Sequence, residues 1–265
     1  MTKFLNFITH ININILTITL IMIFFILERF IYTPFRFKKR GIHSFTNFGL
    51  FILSICFFYL IANFYVWTIV RIDSYHFGLL YHIDIPYYIK LIIGLIAFDF
   101  IGYWNHRISH LVPLFWRLHR VHHSDLTMDS TTGFRLHPFD LVWILLKLIG
   151  IYILGLDMNM VALFSLVDTI FVIFAHWNYV TPNWVDKTLG KIFTTPNLHK
   201  IHHSEDQYYT DSNFADILII WDRIFGTYKF TDVTKLKYGL KEFESPKQQS
   251  LWHLLKSPFL NLKSK

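Results

Sequence analysis

Residues 87–123 read YYIKLIIGLIAFDFIGYWNHRISHLVPLFWRLHRVHH. The first part, 87–105, is a nearly continuous apolar run with Lys90 near one end and Asp99 inside, close to the roughly 20 residues a helix needs to cross a bilayer. It runs directly into His106 and His110 of HRISH, followed by His119, His122 and His123 of HRVHH; His199, His202 and His203 stand in HKIHH. Neutral imidazole is the commonest metal ligand in proteins. Residues three or four apart share one face of a helix, so each cluster can aim two or three nitrogens at one point. A lone HxxxH or HxxHH is more often surface or core histidine than ligand. Here HRVHH and HKIHH are one pattern used twice, each followed by serine, with HxxxH just ahead of the first copy. Cys56 is the only cysteine, and the clusters contain no carboxylate. A histidine-rich metal centre is the natural reading.

The rest of the chain says where that centre sits. Of 265 residues, 53% are hydrophobic and only 16% charged, against about 25% charged in an ordinary soluble domain. Mean hydropathy is positive. These values predict a membrane protein. The net charge of +7 does not indicate nucleic acid, because much of the basic charge flanks apolar segments, where topology and anionic lipid account for it. Apolar segments also occupy 12–33, 47–70, 139–156 and 158–176, the last two joined by LDMN as a hairpin that crosses fully or dips in. A cleaved signal peptide is disfavoured, since the leading region carries only Lys3 and no small-residue cleavage site follows. The expectation is an all-α membrane protein with four to five spanning or re-entrant helices and a helical cap carrying the histidines. Its parts are an N-terminal region of two spans (1–86), a catalytic region (87–235) and a basic tail (236–265). Arg29, Arg36, Lys38, Lys39 and Arg40 mark the first loop as cytoplasmic, and 73–86 holds no Lys or Arg. That topology puts all three clusters on the cytoplasmic side.

DFIGYWNHRISHLVPLFWRLHRVHHS, HPFD and TPNLHKIHHSEDQYYTDSNFADILIIWDRIFGTY together resemble the fatty acid hydroxylase superfamily, also called the sterol desaturase family. The resemblance runs from about residue 95 to 230. It implies an integral membrane oxidoreductase with two iron ions (zinc being possible in purified material), dioxygen as co-substrate and a lipid substrate that is hydroxylated, oxidised or desaturated. By the same resemblance the eight cluster histidines carry over as catalytic metal ligands. His176 in FAHWN is read as a ninth ligand in preference to an interfacial histidine beside Trp177. His137 in FRLHPFD is read as a ligand, an outer partner of the ligands or a cap at a helix start. His10, His43, His76, His82 and His253 lie outside the pattern.

Neutral ligands leave the metal charge uncompensated, so anionic groups holding the far ring nitrogens are expected. Asp99, seven residues before His106, is one candidate; the alternative is an interhelical hydrogen bond. Asp211, Asn213 and Asp222 are candidates near the third cluster, Asp222 with a structural ion pair to Arg223 as its alternative. Asp125 and Glu205 are ambiguous in the same way. No dinucleotide fingerprint and no iron–sulfur cysteine set is present, so electrons are expected from a separate reductase or carrier. A di-zinc hydrolase is the chemical competitor, and a membrane metal transporter or sensor the alternative from another class. HSDLTMDSTTGFRLHPFD resembles the bacterial-type and alkylglycerol-oxidising members, giving a mild preference for a glycerolipid or acyl lipid. The tail LKSK lacks the adjacent lysines of an endoplasmic reticulum retrieval signal, which favours a bacterial inner membrane.

Overall fold

The structure, a computed structural model, describes residues 13–30, 40–140 and 142–261. The basic positions Arg36, Lys38 and Lys39 and the tail LKSK, used above for orientation and localisation, lie outside the described residues. The helices are α1 (Ile13–Phe30), α2 (Arg40–Ser74), α3 (Tyr87–Leu111), α4 (Pro113–His123), α5 (Val142–Leu154), α6 (Met158–His176), α7 (Asn183–Thr188), α8 (Pro196–His202), α9 (Gln207–Thr210), α10 (Ile220–Ile224) and α11 (Leu251–Lys256). Among the described residues no strand forms; two isolated bridges, Phe193 with Leu218 and Ser204 with Tyr238, tie loops together.

Three described stretches are long and apolar enough to cross a membrane: Gly41–Tyr81, Tyr87–Leu111 and Met158–His176. Two shorter apolar helices accompany them, so the all-α membrane architecture holds. One is Ile15–Glu28 within α1. The other is α5, whose 13 residues extend about 20 Å at 1.5 Å per residue, less than the hydrocarbon core. The α5–α6 turn needs Gly155 at φ +70°, a region that favours glycine, and Asp157 then caps α6 by accepting from the Met160 amide. Within the helical layer, Phe98 of α3, Phe164 of α6 and Ile69 and Ile72 of α2 form one buried cluster. In lipid such contacts stabilise through packing rather than through exclusion of water.

The cap is different, because its core excludes water. Tyr103, Leu198, Ile201, Phe214 and Ile219 form one cluster there, each large apolar side chain contributing about 1.5–3 kcal/mol on full burial. The reversal from α3 into α4 positions the site. Pro113 opens α4, where its missing N–H costs nothing, and it forces Val112 out of the helical region, to φ −95° and ψ 116°. The chain turns there, and α4 packs back against α3. Leu240, Phe243 and Leu254 from the C-terminal region then cover α4 at Trp116 and Val121.

Candidate metal centre

Each histidine reaches the centre by a local device. His106 and His110 share a face at the end of α3, and His119, His122 and His123 end α4. Thr195 caps α8 by accepting from the Leu198 amide, with Pro196 in the first turn, and this short helix delivers His199 and His202 with His203 just past its end. His176 is the last residue of α6. The nine rings resolve into two sets. His106, His110, His119, His123 and His202 offer nitrogens all within 4.8 Å of one another, and so do His122, His176, His199 and His203; all nine are buried.

The inward nitrogens lie close together: His106 and His202 Nε2 are 2.9 Å apart, and His110 and His123 Nε2 3.1 Å. In the second set His176 Nε2 is 2.9 Å from His199 Nε2 and 3.2 Å from His122 Nε2. Two nitrogens held about 2.1 Å from one ion at right angles would be about 3.0 Å apart, so the spacing fits ligands of a common ion. A second observation agrees. Both ring nitrogens of His203 are buried with no hydrogen-bond partner among the described residues, an expensive arrangement that an ion would relieve. Burial, and then the neighbouring imidazoles, hold His122, His123, His199 and His203 well below the ordinary histidine range. Burial pushes His202 down to about 3. These rings are neutral at pH 7, the form that binds metal.

The far ring nitrogens explain the motif that follows the third cluster. Nδ1–H of His106 donates to the Phe214 carbonyl (2.7 Å) and that of His202 to the Ser212 carbonyl (2.7 Å). A carbonyl can only accept, so both tautomers are set with Nε2 facing inward. His110 Nδ1 meets Asp211 Oδ1 at 3.2 Å, so DSNF, residues 211–214, braces three ligands. Asn213, at φ +51°, makes the turn and is tied to Leu198 and Lys229. Asp222 accepts from the Phe214 and Ala215 amides and from Thr227, so it holds the brace and not a ring. Its expected partner Arg223 turns instead to the Gly190 carbonyl. His176 Nδ1–H donates to the Val172 carbonyl one turn back.

Two expected partners lie elsewhere. Asp99 does not reach a histidine: it accepts from the Ile217 and Leu218 amides and from Trp221 Nε1. Seven residues of helix carry it about 10 Å along the axis from His106, which leaves it the interhelical role. His137 faces no ligand ring and closes the turn ahead of α5, with Nδ1 accepting from the Phe139 amide and Nε2 bonded to the Leu255 carbonyl. Glu205 pairs with Lys241 at the surface. Asp125 accepts from His43 and Thr132. Burial alone would raise it, but His43 and Arg135 outweigh burial and hold it well below the ordinary carboxylate range. His43, set aside above as outside the pattern, is therefore part of a buried clamp beneath α4, with Arg135 bonded to the Val121 carbonyl, Ser124, Asn47 and Gln249.

Sequence reasoning missed other residues at the site. Asp140 lies 3.5 Å from His119 Nδ1, and Asp216 lies 3.9 Å from His106 Nδ1. A cavity of about 240 Å³ rests on His106, His119, His122, His176 and His199, so it opens onto both sets. Leu136 and Val172 line it as apolar wall, while Lys147, Asp168 and Asp216 supply charge. Gly133 closes one side; a Cβ there would stand 2.8 Å from Val172 Cγ1 and 3.0 Å from His176 Nδ1.

Comparison with known proteins agrees with this geometry. The chain is 32% identical to human alkylglycerol monooxygenase over 149 residues, 54% of this chain and 31% of that protein. It is 31% identical to an ornithine lipid hydroxylase of Rhizobium tropici over 147 residues, 54% of this chain and 43% of the relative. A very-long-chain aldehyde decarbonylase of Oryza sativa subsp. indica is 27% identical over 132 residues, 49% of each chain. The chain thus spans less than half the length of these curated relatives. No solved structure matches it. Residues 91–227, more than half of the 265, match the fatty acid hydroxylase family, and they contain all nine converging histidines: the chain belongs to that family.

Proposed function

We propose that this protein is a membrane-bound lipid oxygenase that uses two iron ions, dioxygen and external electrons to hydroxylate an unactivated C–H bond of a lipid. The observation that carries the reading is the pair of neutral imidazole sets, five and four rings, sharing one cavity at the end of apolar helices. His106, His110, His119, His123 and His202 would hold one ion, and His122, His176, His199 and His203 the other. Iron at these positions supplies activation of dioxygen and oxidation of the C–H bond; one oxygen atom enters the lipid and the other leaves as water, with electrons from a separate reductase or carrier. The chain's own residues do the rest. Phe214, Ser212, Val172 and Asp211 orient rings through Nδ1. Leu136 and Val172 supply apolar wall beside the rings, and a tail would enter between α3, α5 and α6, whose residues line the cavity. Region 87–235 would be the catalytic unit and 1–86 its membrane anchor. The basic residues of the first loop favour a cytoplasmic centre.

The test combines metal analysis and oxygen uptake by the purified protein with untargeted lipidomics of cells with and without it, His122→Ala serving as the control. Bound iron, reductant-dependent oxygen uptake and a lipid product absent from the His122→Ala cells are expected. Material that holds no transition metal under any preparation would remove the reading. A bulky side chain at the cavity wall, Gly102→Leu, is expected to lower lipid oxidation while leaving the metal content unchanged.

A further inference from the structure

α1, INILTITLIMIFFILERF, is apolar until its last turn, where Glu28 stands 3% exposed. Nothing local recommends a carboxylate there. Burying a charge is costly, and an anion near a helix C-terminus opposes the helix dipole. The partners of Glu28 come from far along the chain. Its Oε1 accepts from the Ser130 amide at 2.9 Å and from the Asn178 amide at 3.1 Å. Ser130 lies in the loop that follows HRVHH, and Asn178 stands two residues past His176. A third connection runs to HKIHH. Lys200, between His199 and His202, is fully buried and donates to the Trp177 and Tyr179 carbonyls, on either side of Asn178. The charge of Glu28, and then that of Asp186, acts on this ammonium; Asp186 is already engaged by Thr181, Thr195 and Asn197. Phe24, one turn before Glu28, meets the Trp177 ring edge-on at 5.3 Å between centroids, and α1 packs along α6. α1 thus reaches the three segments that carry His122, His176, His199 and His203. Of those four rings, only His176 has its far nitrogen hydrogen-bonded among the described residues. The placing of the other three depends on the backbone that carries them, and Glu28 ties that backbone together. The set of five has braces of its own in Phe214, Ser212 and Asp211.

We propose that Glu28 is a positioning residue for the four-histidine set: through it α1 holds the ends of α4, α6 and α8 together so that a metal ion binds there, while the five-histidine set does not depend on it. The inference rests on the two-ion part of the oxygenase reading and goes beyond it. α1 lies outside the matched residues 91–227, and this gives it a part in metal binding as well as in anchoring.

The test is metal binding by the full-length protein in nanodiscs, stripped with chelator, reloaded with ferrous iron without oxygen and read against a graded series of chelators. Glu28→Leu removes both acceptor and charge. It is expected to lower the affinity for one of two ions about 10–100-fold and to leave the other at its wild-type value. Glu28→Gln, nearly isosteric, keeps an oxygen for the two amides and removes only the charge; about fivefold on the same ion is expected. His203→Ala, which is expected to retain only the five-histidine ion, assigns the position: adding Glu28→Leu to it should leave the remaining affinity unchanged. Hydrogen exchange of the metal-free chain gives a readout independent of the ion. The Ser130 and Asn178 amides are expected to exchange about tenfold faster in Glu28→Leu than in the wild type or Glu28→Gln. Wild-type affinity for both ions in Glu28→Leu, or an equal weakening of both, overturns the inference. Oxygen uptake is measured separately. Selective loss of one ion in a protein with no oxygen-dependent lipid oxidation would support the positioning role and remove the oxygenase reading; a wild type that takes up no second ion removes both.

Discussion

The two histidine sets differ in how their rings are held. In the set of five, His106 and His202 donate to backbone carbonyls, while His110 and His119 face Asp211 and Asp140. In the set of four, only His176 is fixed this way, by its own helix. The far nitrogens of His122, His199 and His203 have no hydrogen-bond partner among the described residues, whereas in the set of five this holds of His123 Nδ1 while three rings are hydrogen-bonded. Outer partners orient a ligand ring and raise its basicity. The difference describes one firm position and one adjustable position beneath a shared cavity, so ions bound at the two would differ in affinity.

The largest expected effect comes from removing ligands. His203→Ala leaves three rings in the weaker set and should retain about one ion per chain, whereas His202→Ala leaves four rings in the braced set and should retain about two. Both should abolish lipid oxidation. Inductively coupled plasma mass spectrometry of the two variants measures this, and equal metal contents would erase the contrast. Next, Asp211→Asn should lower the affinity of the five-histidine position about 10–100-fold, read by competition with a graded series of chelators. The four-histidine position should be unaffected, and loss at both positions would show that they are not independent.

Acidity gives a smaller effect. In the metal-free protein His202 sits near 3, below the ordinary 6.5. Between those values the unfolded chain binds more protons, so stability is complete above about pH 6.5 and falls as pH falls. His202 alone should cost about 2 kcal/mol by pH 5, visible as a lower thermal midpoint after chelation. A midpoint flat from pH 7 to 5 would contradict neutral buried rings. The smallest effect is Gly133→Ala. The added methyl meets Val172 and His176 and should destabilise by about 1 kcal/mol, with the four-histidine ion lost first.

Short-range features were legible in the sequence, and features made by tertiary packing were not. HxxxH and HxxHH are written within a few residues, and FAHWN at the end of the last apolar segment pointed to His176 through the family resemblance. Asp99 misled, because helical phase says that a residue faces the same way but not how far along the axis it reaches. The clamp of His43 with Asp125 joins residues 82 positions apart, which no local pattern records. Lys147 and Asp168 did leave a signal, one charge in each of two apolar helices; their meeting over the cavity needed the packing of α5 against α6.

The cover on α4 has a consequence for synthesis. Arg120, inside HRVHH, donates to the Ser257 and Leu260 carbonyls, and Leu254 packs into the cluster with Trp116 and Val121. Every converging histidine precedes these residues in chain order. A ribosome that has delivered the last imidazole still has some fifty residues to add before HRVHH is seated. Loading of the ions should therefore trail translation, and chains arrested near residue 245 should emerge with all nine ligands and fail to retain the metal.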